Sequence, residues 1–416
     1  MQNPQTSGSK LVQFFTSFDY IQIAAMTVLL AMGVIFIYST GVQVGTPAAE
    51  GYYLRQLQWI TIGLCFYLAL ALVDFRKIMI PAVFSYPVCI GLLVAVFLVG
   101  TKVWGAQRWI SVPGLGLRLQ PSEFTKLALI FVLAGLFSSR MFTIAPEEMA
   151  FRGKKASQWI TILIAAALIG LPFALIVKEP DLGSALVLPP IGAAIVFVAG
   201  IRRKLLAWIL TLLLAGFFLV AANEFWPKRE VNPATGAVTL TYPGIHPFLR
   251  NYQRERMLTF FDPERDLHRF GYNRHQALLA VGSGGLTGKG IGKGTQNLLG
   301  FLPQSVSNND FIFAVIAEET GFFGCMVLFG AYLMLFYSIL RTALTTESPY
   351  GRYIAIGVAT MLFVHIFINA GMSIGVTPVT GLSLPLVSYG GSFMFTVLAA
   401  LGVLQSVYRF REREDG

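Results

Sequence analysis

Long apolar blocks, separated by short polar stretches, run along almost the whole chain. A helix needs about 20 apolar residues to cross the hydrocarbon core of a bilayer. Lipid offers no hydrogen-bond partners, so a spanning block must satisfy its backbone as a helix. Ten blocks come close to this length: 20–40, 56–73, 78–100, 120–139, 158–177, 182–201, 204–222, 310–340, 353–376 and 383–407. The pattern therefore predicts an all-α polytopic membrane protein with ten transmembrane helices in one integral membrane domain, residues 1–416.

The positions of lysine and arginine predict which side of the membrane each loop faces. An even number of spans puts both termini on one side. If that side is the cytoplasm, the inside segments hold more than twice as many Lys and Arg residues as the short outside loops. Cytoplasmic loops carry an excess of positive charge, and long loops are exempt from this bias. Both termini are therefore predicted to be cytoplasmic, and residues 223–309 are predicted to form a large extracytoplasmic loop between the seventh and eighth spans.

Composition agrees with a membrane protein and excludes other classes. Hydrophobic residues make up 55% of the chain and charged residues only 12%, which is about half the charged fraction of a soluble domain. The net charge of +10 does not indicate nucleic-acid binding, because the cations are spread between the apolar blocks. The three cysteines and four histidines lack the spacing of zinc ligands or of a disulfide framework. The block 20–40 is too long for a cleavable signal sequence and is predicted to remain as the first span.

Two charged residues lie inside the fourth predicted span, in the string QPSEFTK. Glu123 and Lys126 are three residues apart and therefore share one helix face. A charged pair at this depth is a functional-site hypothesis by default, because each charge is costly unless it is paired or hydrated. The alternative is a first-turn glutamate that the helix dipole favours, followed by a lysine that snorkels to the surface. Residue types alone leave both interpretations open.

Other polar positions lie near the ends of the predicted spans. The string KVWGAQRWISV puts Lys102 and Arg108 beside tryptophans, which are common interface anchors, although the two cations also suit an anionic headgroup. The turn KEPDLGS, which contains Asp181, is interpreted as charged and interfacial. Glu318 and Glu319 fall within the eighth span, so at least one of them is expected to face inward or to be paired.

Glycine and proline mark three unusual stretches. The last span opens with TPVTGLSLPLVSYGGS, which predicts a broken helix that lines a cavity on the outer side. Gly371 and Gly375 lie one turn apart in the ninth span and allow either a close helix contact or a local bend. The glycine-rich string at 281–294 fits no nucleotide-binding pattern and is interpreted as a loop near lipid phosphate.

The predicted extracytoplasmic loop contains the string TFFDPERD. By residue type alone, Asp262 followed by Pro263 and Glu264 is typical of a helix start, with the aspartate as the N-cap. The alternative is a catalytic carboxylate held just above the membrane.

Several strings together resemble the SEDS family of polytopic membrane glycosyltransferases. In chain order they are GAQRWI, QPSEFTK, EPDLGSA, YQRERMLTFFDPERD, GYNRHQALLAVGSGGLTGKGIGKGTQ, DFIFAVIAEETGFFG and LPLVSYGGS. The resemblance implies polymerisation of lipid II into the glycan strands of bacterial peptidoglycan. GKGTQ and PVTG are more similar to the RodA (elongation) branch than to the FtsW (division) branch. LPQSVSNNDF departs from the family pattern, since Gln304 stands in place of a glutamate and a histidine is missing.

The resemblance also implies roles for single residues. Asp262 falls on the family's catalytic aspartate and would act as the general base. The leaving group would be undecaprenyl diphosphate, whose growing charge needs cations. The residues expected to bind this diphosphate or to orient its ligands are Lys126, Glu123, Arg108, Lys102 and Asp181. A divalent cation, Mg²⁺ or Mn²⁺, is an optional further clamp at Asp262 or Asp181.

Family resemblance further implies partners and a location. SEDS proteins work with a class B penicillin-binding protein, a transpeptidase, whose membrane helix is expected on the eighth and ninth spans near Gly371 and Gly375. The expected location is the cytoplasmic (inner) membrane of a bacterium, with the active site on the extracytoplasmic side. A lipid II flippase is the main alternative, because buried charges and broken helices also suit a transporter. A non-catalytic scaffold is a third possibility.

Overall fold

The computed structural model describes residues 16–44, 47–103, 106–112, 117–138, 152–200, 228–231, 238–241, 256–260 and 270–411, together with positions 211 and 215. This part of the chain is mostly helical. Its helices are α1 (Tyr20–Val44), α2 (Pro47–Leu72), α3 (Phe75–Val99), α4 (Pro121–Ser138), α5 (Arg152–Lys178), α6 (Leu182–Val198), α7 (Phe270–Ser283), α8 (Thr295–Leu298), α9 (Gln304–Ser307), α10 (Ile312–Thr345), α11 (Pro349–Ser373) and α12 (Gly391–Arg409).

Among the described residues, eight helices are long and apolar enough to cross a membrane. They are α1 to α5 and α10 to α12, which match the first five and the last three predicted spans. The multi-pass architecture is therefore confirmed. The sixth predicted span is the shorter apolar helix α6, with 17 residues. The seventh, 204–222, lies outside the described residues apart from positions 211 and 215. The count of ten and the orientation therefore stay predictions.

Two small antiparallel sheets correct the all-α prediction. Strands β1 (Thr101–Val103), β2 (Ala106–Val112) and β3 (Leu117–Leu119) form one sheet, with β2 in the centre. Strands β4 (Lys228–Val231) and β5 (Val238–Thr241) form a hairpin inside the predicted large loop. These strands are much shorter than a membrane-spanning apolar block, so the hydrophobic pattern used to predict spans does not predict them. The first sheet connects α3 to α4 and so determines where α4 begins.

A glycine-rich loop, residues 284–290, docks into a break in α10. Gly321 has φ 64° and ψ −159°, which interrupts the helical hydrogen bonds. Four backbone hydrogen bonds of 2.9–3.1 Å replace them: Phe322 N to Gly285 O, Phe323 N to Leu286 O, Lys289 N to Glu318 O and Gly290 N to Glu319 O. The loop and the helix therefore supply hydrogen-bond partners for each other's backbone groups. Buried backbone groups need such partners, because leaving them unpaired is costly.

Both carboxylates at the break in α10 are buried and hydrogen-bonded. Glu318 and Glu319 are each 1% exposed. Glu318 accepts a hydrogen bond from Lys289 Nζ at 2.6 Å, and Glu319 accepts one from Ser39 Oγ of α1 at 2.7 Å. The prediction that at least one of them faces inward or is paired is confirmed. The first contact anchors the glycine-rich loop to α10, and the second joins α1 to α10.

The last predicted span begins with non-helical backbone, which confirms the broken helix. Residues 374–390, here called the broken segment, are non-helical, and α12 begins at Gly391, later than the predicted start. Tyr332 Oη donates a hydrogen bond of 2.6 Å to the carbonyl of Pro385. Asn369 Nδ2 of α11 donates one of 2.7 Å to a second carbonyl of the segment. Non-helical chain at membrane depth is tolerated only against protein or water, and here α10 and α11 supply the protein.

The helices α12 and α4 lie deepest in the bundle. Within their apolar stretches, 83% of α12 and 67% of α4 are buried, compared with 22% of α5. A charged residue on α4 is therefore enclosed by protein and has to find its partners there.

We expect Gly321→Ala to destabilise the protein, whereas Gly330→Ala in the same helix should not. Gly321 has a positive φ, and a Cβ there would contact the backbone amide of Gly288. Strain of this kind costs roughly 1–3 kcal/mol. A Cβ at Gly330 meets nothing within 4 Å, and alanine favours a helix interior by about 1 kcal/mol. Thermal unfolding of the purified variants in detergent measures the difference, and equal melting temperatures would contradict the docked loop.

Candidate active site

The first turn of α4 holds a buried ion pair. Pro121 occupies the first helical position, which needs no amide, and Glu123 lies where the helix dipole favours an anion. Lys126 follows one turn later, and its Nζ is 2.8 Å from Glu123 Oε2. The Lys126 side chain is 0% exposed, so the alternative of a snorkelling lysine is wrong. An ammonium group buried to this degree needs partners that compensate its lost hydration.

A second partner of Lys126 is His365 on α11. Its Nε2 is 3.0 Å from Lys126 Nζ, and its Nδ1 is 3.1 Å from the carbonyl oxygen of Ser383. The imidazole stacks on Phe393 of α12, with 4.4 Å between the ring centroids. Sequence analysis missed this contact, because a lone histidine in an apolar block carries no signal that connects it with a lysine on another helix.

Asp181 organises the turn between α5 and α6. It caps α6 by accepting a hydrogen bond of 3.3 Å from the amide of Ser184. Its Oδ2 also accepts from Gln120 Nε2 at 2.8 Å and from Ser122 Oγ at 3.1 Å. Arg108 Nη1 of β2 lies 3.8 Å from Oδ1. Because these donors satisfy the carboxylate internally, Asp181 is buried within the protein. The position of the turn at the membrane interface stays a prediction.

The surroundings of Asp181 favour its ionised form. Burial alone would raise the pKa of this carboxyl. The charges of Arg108 and Lys126 and the hydrogen bonds from Ser184 outweigh burial, so the pKa lies below its ordinary value. Ser184 Oγ also donates a hydrogen bond of 3.3 Å to Glu123 Oε1. The two carboxylates therefore belong to one network.

Glu179 lies in the same turn but has the opposite protonation state. The residue is 1% exposed, and neither carboxyl oxygen has a hydrogen-bond partner among the described residues. Burial, and then the charge of Asp181, raise the pKa of Glu179 to about 8, although Arg108 opposes the rise. Glu179 is therefore protonated at pH 7. Two carboxyl groups whose surroundings push their pKa values apart are typical of a functional site.

A cavity next to this turn has two guanidinium groups on its wall. The residues that line it are Arg108, Pro180, Leu182, Arg256, Met257, Val379 and Thr380. They come from β2, the α5–α6 turn, the helical stretch 256–260 and the broken segment. Burial raises the pKa of nearby Asp310, while Arg256 and Arg108 oppose the rise. Arginine forks match phosphate oxygens, so these two arginines favour an anionic ligand. The cavity has room for about one water molecule, so a diphosphate could enter only after the surrounding side chains move apart.

The structure brings four predicted site residues into one network: Glu123, Lys126, Arg108 and Asp181. Lys102 belongs to β1, but its side chain lies outside the described part. Asp262 also lies outside the described residues, so its role as a base stays a prediction. Arg256, which sequence analysis did not single out, precedes Asp262 in the string YQRERMLTFFDPERD, and this shared string is the signal that was available.

Gly371 and Gly375 form part of the turn that ends α11. A Cβ on buried Gly371 would contact the side chain of Thr377. Gly375 lies beyond the end of the helix with φ +76°, and its carbonyl accepts a hydrogen bond of 2.9 Å from Arg274 Nη2. These contacts agree with the alternative of a local bend. A partner contact at these glycines stays a prediction.

The described residues contain no group of three or more His, Cys, Asp and Glu side chains that converges on one point. The oxygens of Asp181 already face Arg108 and accept hydrogen bonds from three other donors, so this carboxylate fits poorly as a metal ligand. The prediction of a divalent cation therefore depends on Asp262.

Known sequences resemble this chain along nearly its whole length. The profile of the family described as cell cycle protein, FtsW/RodA/SpoVE, matches residues 20–413. The peptidoglycan glycosyltransferase RodA of Treponema pallidum is 32% identical, over 94% of this chain and 98% of the relative. The peptidoglycan glycosyltransferase MrdB of Escherichia coli K12 is 34% identical, over 93% of this chain and 94% of the relative.

Solved structures share the fold as well. The rod shape determining protein RodA of Thermus thermophilus matches with a TM-score of 0.64 and 27% identity, over 95% of this chain and 98% of that chain. A structure described as a peptidoglycan synthase complex, which coordinates polymerization and crosslinking, contains a chain with a TM-score of 0.71 and 28% identity. That match covers 95% of this chain and 99% of the other. The chain therefore belongs to the FtsW/RodA/SpoVE family of cell cycle proteins, which is the SEDS family that its motif strings resemble.

Proposed function

We propose that this chain is a peptidoglycan glycosyltransferase of the RodA (elongation) type, which polymerises lipid II into glycan strands. The relatives that carry the glycosyltransferase name together with RodA or MrdB are 31–34% identical to it. A probable FtsW of Geobacter metallireducens is 31% identical, at the lower end of this range. The strings GKGTQ and PVTG favour the RodA branch as well.

The observation that best supports this chemistry is that Arg108 and Arg256 lie together in the lining of one cavity. The leaving group of the proposed reaction is undecaprenyl diphosphate, and negative charge grows on it in the transition state. Cations held in place by the fold stabilise such charge without reorganisation, and they do so more strongly in a site of low dielectric. The cavity lies next to the buried Glu123–Lys126 pair, because Asp181 contacts both Arg108 and the first turn of α4.

In the proposed reaction, the 4-hydroxyl oxygen of the acceptor GlcNAc attacks the anomeric carbon of the donor MurNAc. The glycosidic C–O bond forms while the bond from that carbon to the diphosphate oxygen breaks, and the diphosphate leaves with the bonding electrons. Asp262 takes the hydroxyl proton, a role worth typically 10²–10⁴ in rate. Attack and departure occur on opposite faces of the carbon, so the configuration inverts.

Each residue around the cavity has its own proposed task. Asp181 holds Arg108, whose Nη2 also donates to the carbonyl of Pro180. Lys126 contributes positive charge, and Glu123 fixes its orientation. Glu179 is neutral at pH 7 and therefore does not repel the leaving group.

We also propose a class B penicillin-binding protein, a transpeptidase, as the partner. Its membrane helix would pack on α10 and α11, which expose large apolar side chains such as Phe323, Met326, Phe363 and Phe367. The solved peptidoglycan synthase complex supports a partner of this kind. The lipid substrates imply the bacterial cytoplasmic membrane, with the cavity on the extracytoplasmic side.

Asp262→Asn should abolish glycan synthesis from labelled lipid II by the purified protein with its partner. The substitution keeps the shape of the side chain and removes the base, so a loss of 10²-fold or more is expected. Glu264→Gln, which neutralises a second carboxylate of TFFDPERD, is the matched control and should keep most of the activity. Both variants are compared at equal amounts of folded protein.

If wild type and Asp262→Asn made equal amounts of glycan, Asp262 would not be the base, and its interpretation as a helix N-cap would be favoured. If wild type with a competent partner made no glycan, the flippase would replace the polymerase as the leading function. Transfer of labelled lipid II across vesicle membranes would then be the next measurement.

Glu179→Gln should change how polymerisation depends on pH. The carboxyl of Glu179 is neutral below about pH 8 and charged above it. The wild-type rate should therefore fall as the pH rises through 8, since a new anion then lies in the turn beside the cavity. Glu179→Gln should lose this alkaline decline, whereas Glu347→Gln, at an exposed position, should keep it. An unchanged decline in Glu179→Gln would show that another group causes it.

The protonation of Glu179 should also make the stability of the wild-type protein depend on pH. Between the ordinary pKa of 4.5 and about 8, the folded protein retains a proton on Glu179 that the unfolded chain has released. The free energy of unfolding therefore falls as the pH rises through this range. The melting temperature of Glu179→Gln should fall less than that of wild type over the same range.

A further inference from the structure

His365 is a buried titratable residue that the proposed mechanism does not use. It lies on α11, is 1% exposed, and has both ring nitrogens in contact with polar atoms. Nε2 faces Lys126 Nζ at 3.0 Å, and Nδ1 faces the carbonyl oxygen of Ser383 at 3.1 Å. These two contacts lie on opposite edges of one ring and connect α4 with the broken segment.

The two contacts determine which nitrogen carries the proton. A carbonyl oxygen only accepts hydrogen bonds, so Nδ1 must be the donor to Ser383. A lysine ammonium only donates, so Nε2 must present its lone pair to Lys126. A doubly protonated ring would instead point an N–H group at a positive charge. The geometry therefore selects a neutral His365 with the proton on Nδ1.

The ring has little freedom to take another orientation. It lies nearly parallel to the Phe393 ring, with an interplanar angle of 19°. Lys126 Nζ lies 5.4 Å from the centre of that same aromatic ring. The acceptor nitrogen is therefore held at a fixed place relative to the ammonium group, in the way that outer partners orient functional groups elsewhere.

The second contact joins this ring to the wall of the cavity. Ser383 belongs to the broken segment, and Val379 and Thr380 of the same segment line the cavity with Arg108. The imidazole therefore links the ammonium of Lys126 to the backbone segment that lines the cavity.

We propose that His365 is a positioning residue for glycosyl transfer: as the neutral Nδ1–H tautomer, it directs the Lys126 ammonium by accepting a hydrogen bond from it. The functional part of this inference rests on the proposed polymerase activity. His365 acts through Lys126 and does not touch the reacting atoms. It provides one acceptor and Glu123 provides the other, so Lys126 is held from two sides.

A pair of amide substitutions separates the two contacts of the ring. Asparagine puts its amide close to the place of Nδ1, so His365→Asn keeps the donor to Ser383 and removes the acceptor for Lys126. Glutamine reaches the place of Nε2, so His365→Gln keeps an oxygen acceptor for Lys126. We expect kcat to fall roughly tenfold or more in His365→Asn, which is the effect of losing one hydrogen bond to a charged group. KM for lipid II should stay within about twofold, and His365→Gln should restore most of kcat.

The reverse order of activities would overturn the proposal. If His365→Asn were as active as wild type and His365→Gln were not, the contact with Ser383 would matter and the residue would be structural. Wild-type kcat in both variants would likewise exclude a positioning role. If both variants fail to fold, the proposal is tested by the protonation state of the His365 ring in the wild-type protein.

Nitrogen-15 NMR of the imidazole rings tests that protonation without any use of catalysis. The chain has four histidines, and the signals of His365 are those that remain when His246, His268 and His275 are replaced by glutamine. At pH 7 we expect a protonated Nδ1 and an unprotonated, hydrogen-bonded Nε2. In Lys126→Met the Nε2 signal should move toward that of a nitrogen without a donor.

A ring protonated on Nε2, or on both nitrogens, would overturn the proposal whatever the enzyme makes. An Nε2 signal that does not respond to Lys126→Met would overturn it too. If only the polymerase proposal is wrong, the protein will form no glycan but the His365 ring will still give the expected NMR signals.

Discussion

The burial of one ammonium group shapes the centre of this protein. Lys126 is fully enclosed on α4, and a charge without water has to be compensated by partners held in good geometry. Glu123 supplies the opposite charge from the same helix, and His365 supplies an acceptor from α11. Ser184 of α6 in turn donates to Glu123. The burial of a single side chain therefore ties three helices together, and removing Glu123 would leave a buried charge uncompensated.

The same rule governs the backbone. Where α10 breaks at Gly321, the glycine-rich loop exchanges hydrogen bonds with the helix. Where the broken segment precedes α12, side chains such as Tyr332 and Asn369 bond its carbonyls. Non-helical chain at membrane depth is possible only with such substitutes for water. The broken segment gains from this a fixed shape, and that shape forms part of the cavity wall. The contacts that make the fold tolerable in a membrane are therefore also the contacts that build the site.

The sequence predicts those features whose cause is local. Apolar length predicts the spans, and the prolines and glycines before α12 predict its broken start, because each acts through neighbouring residues. The spacing of Glu123 and Lys126 predicts their shared helix face for the same reason. The partner of Lys126 on α11 lies 239 positions away, and no local pattern encodes such a contact. The strands that carry Arg108 are too short to stand out in a search for spans. Asp262 was singled out only by family resemblance, since its neighbours also suit a simple helix cap.

Charge balance explains how such a site could hold an anion and still let it go. Arg108 faces Asp181, and Lys126 is paired with Glu123, so much of the positive charge is already compensated. Burial keeps Glu179 neutral at pH 7, and it pushes the pKa of Asp310 in the same direction. If Glu179 were ionised as well, its charge would offset part of the attraction of the cavity for a diphosphate. With no compensation at all, the cations would be costly to bury, and a bound product would leave slowly. Partial compensation leaves a modest excess of positive charge, which suits a polymerase that must release undecaprenyl diphosphate after every sugar transfer.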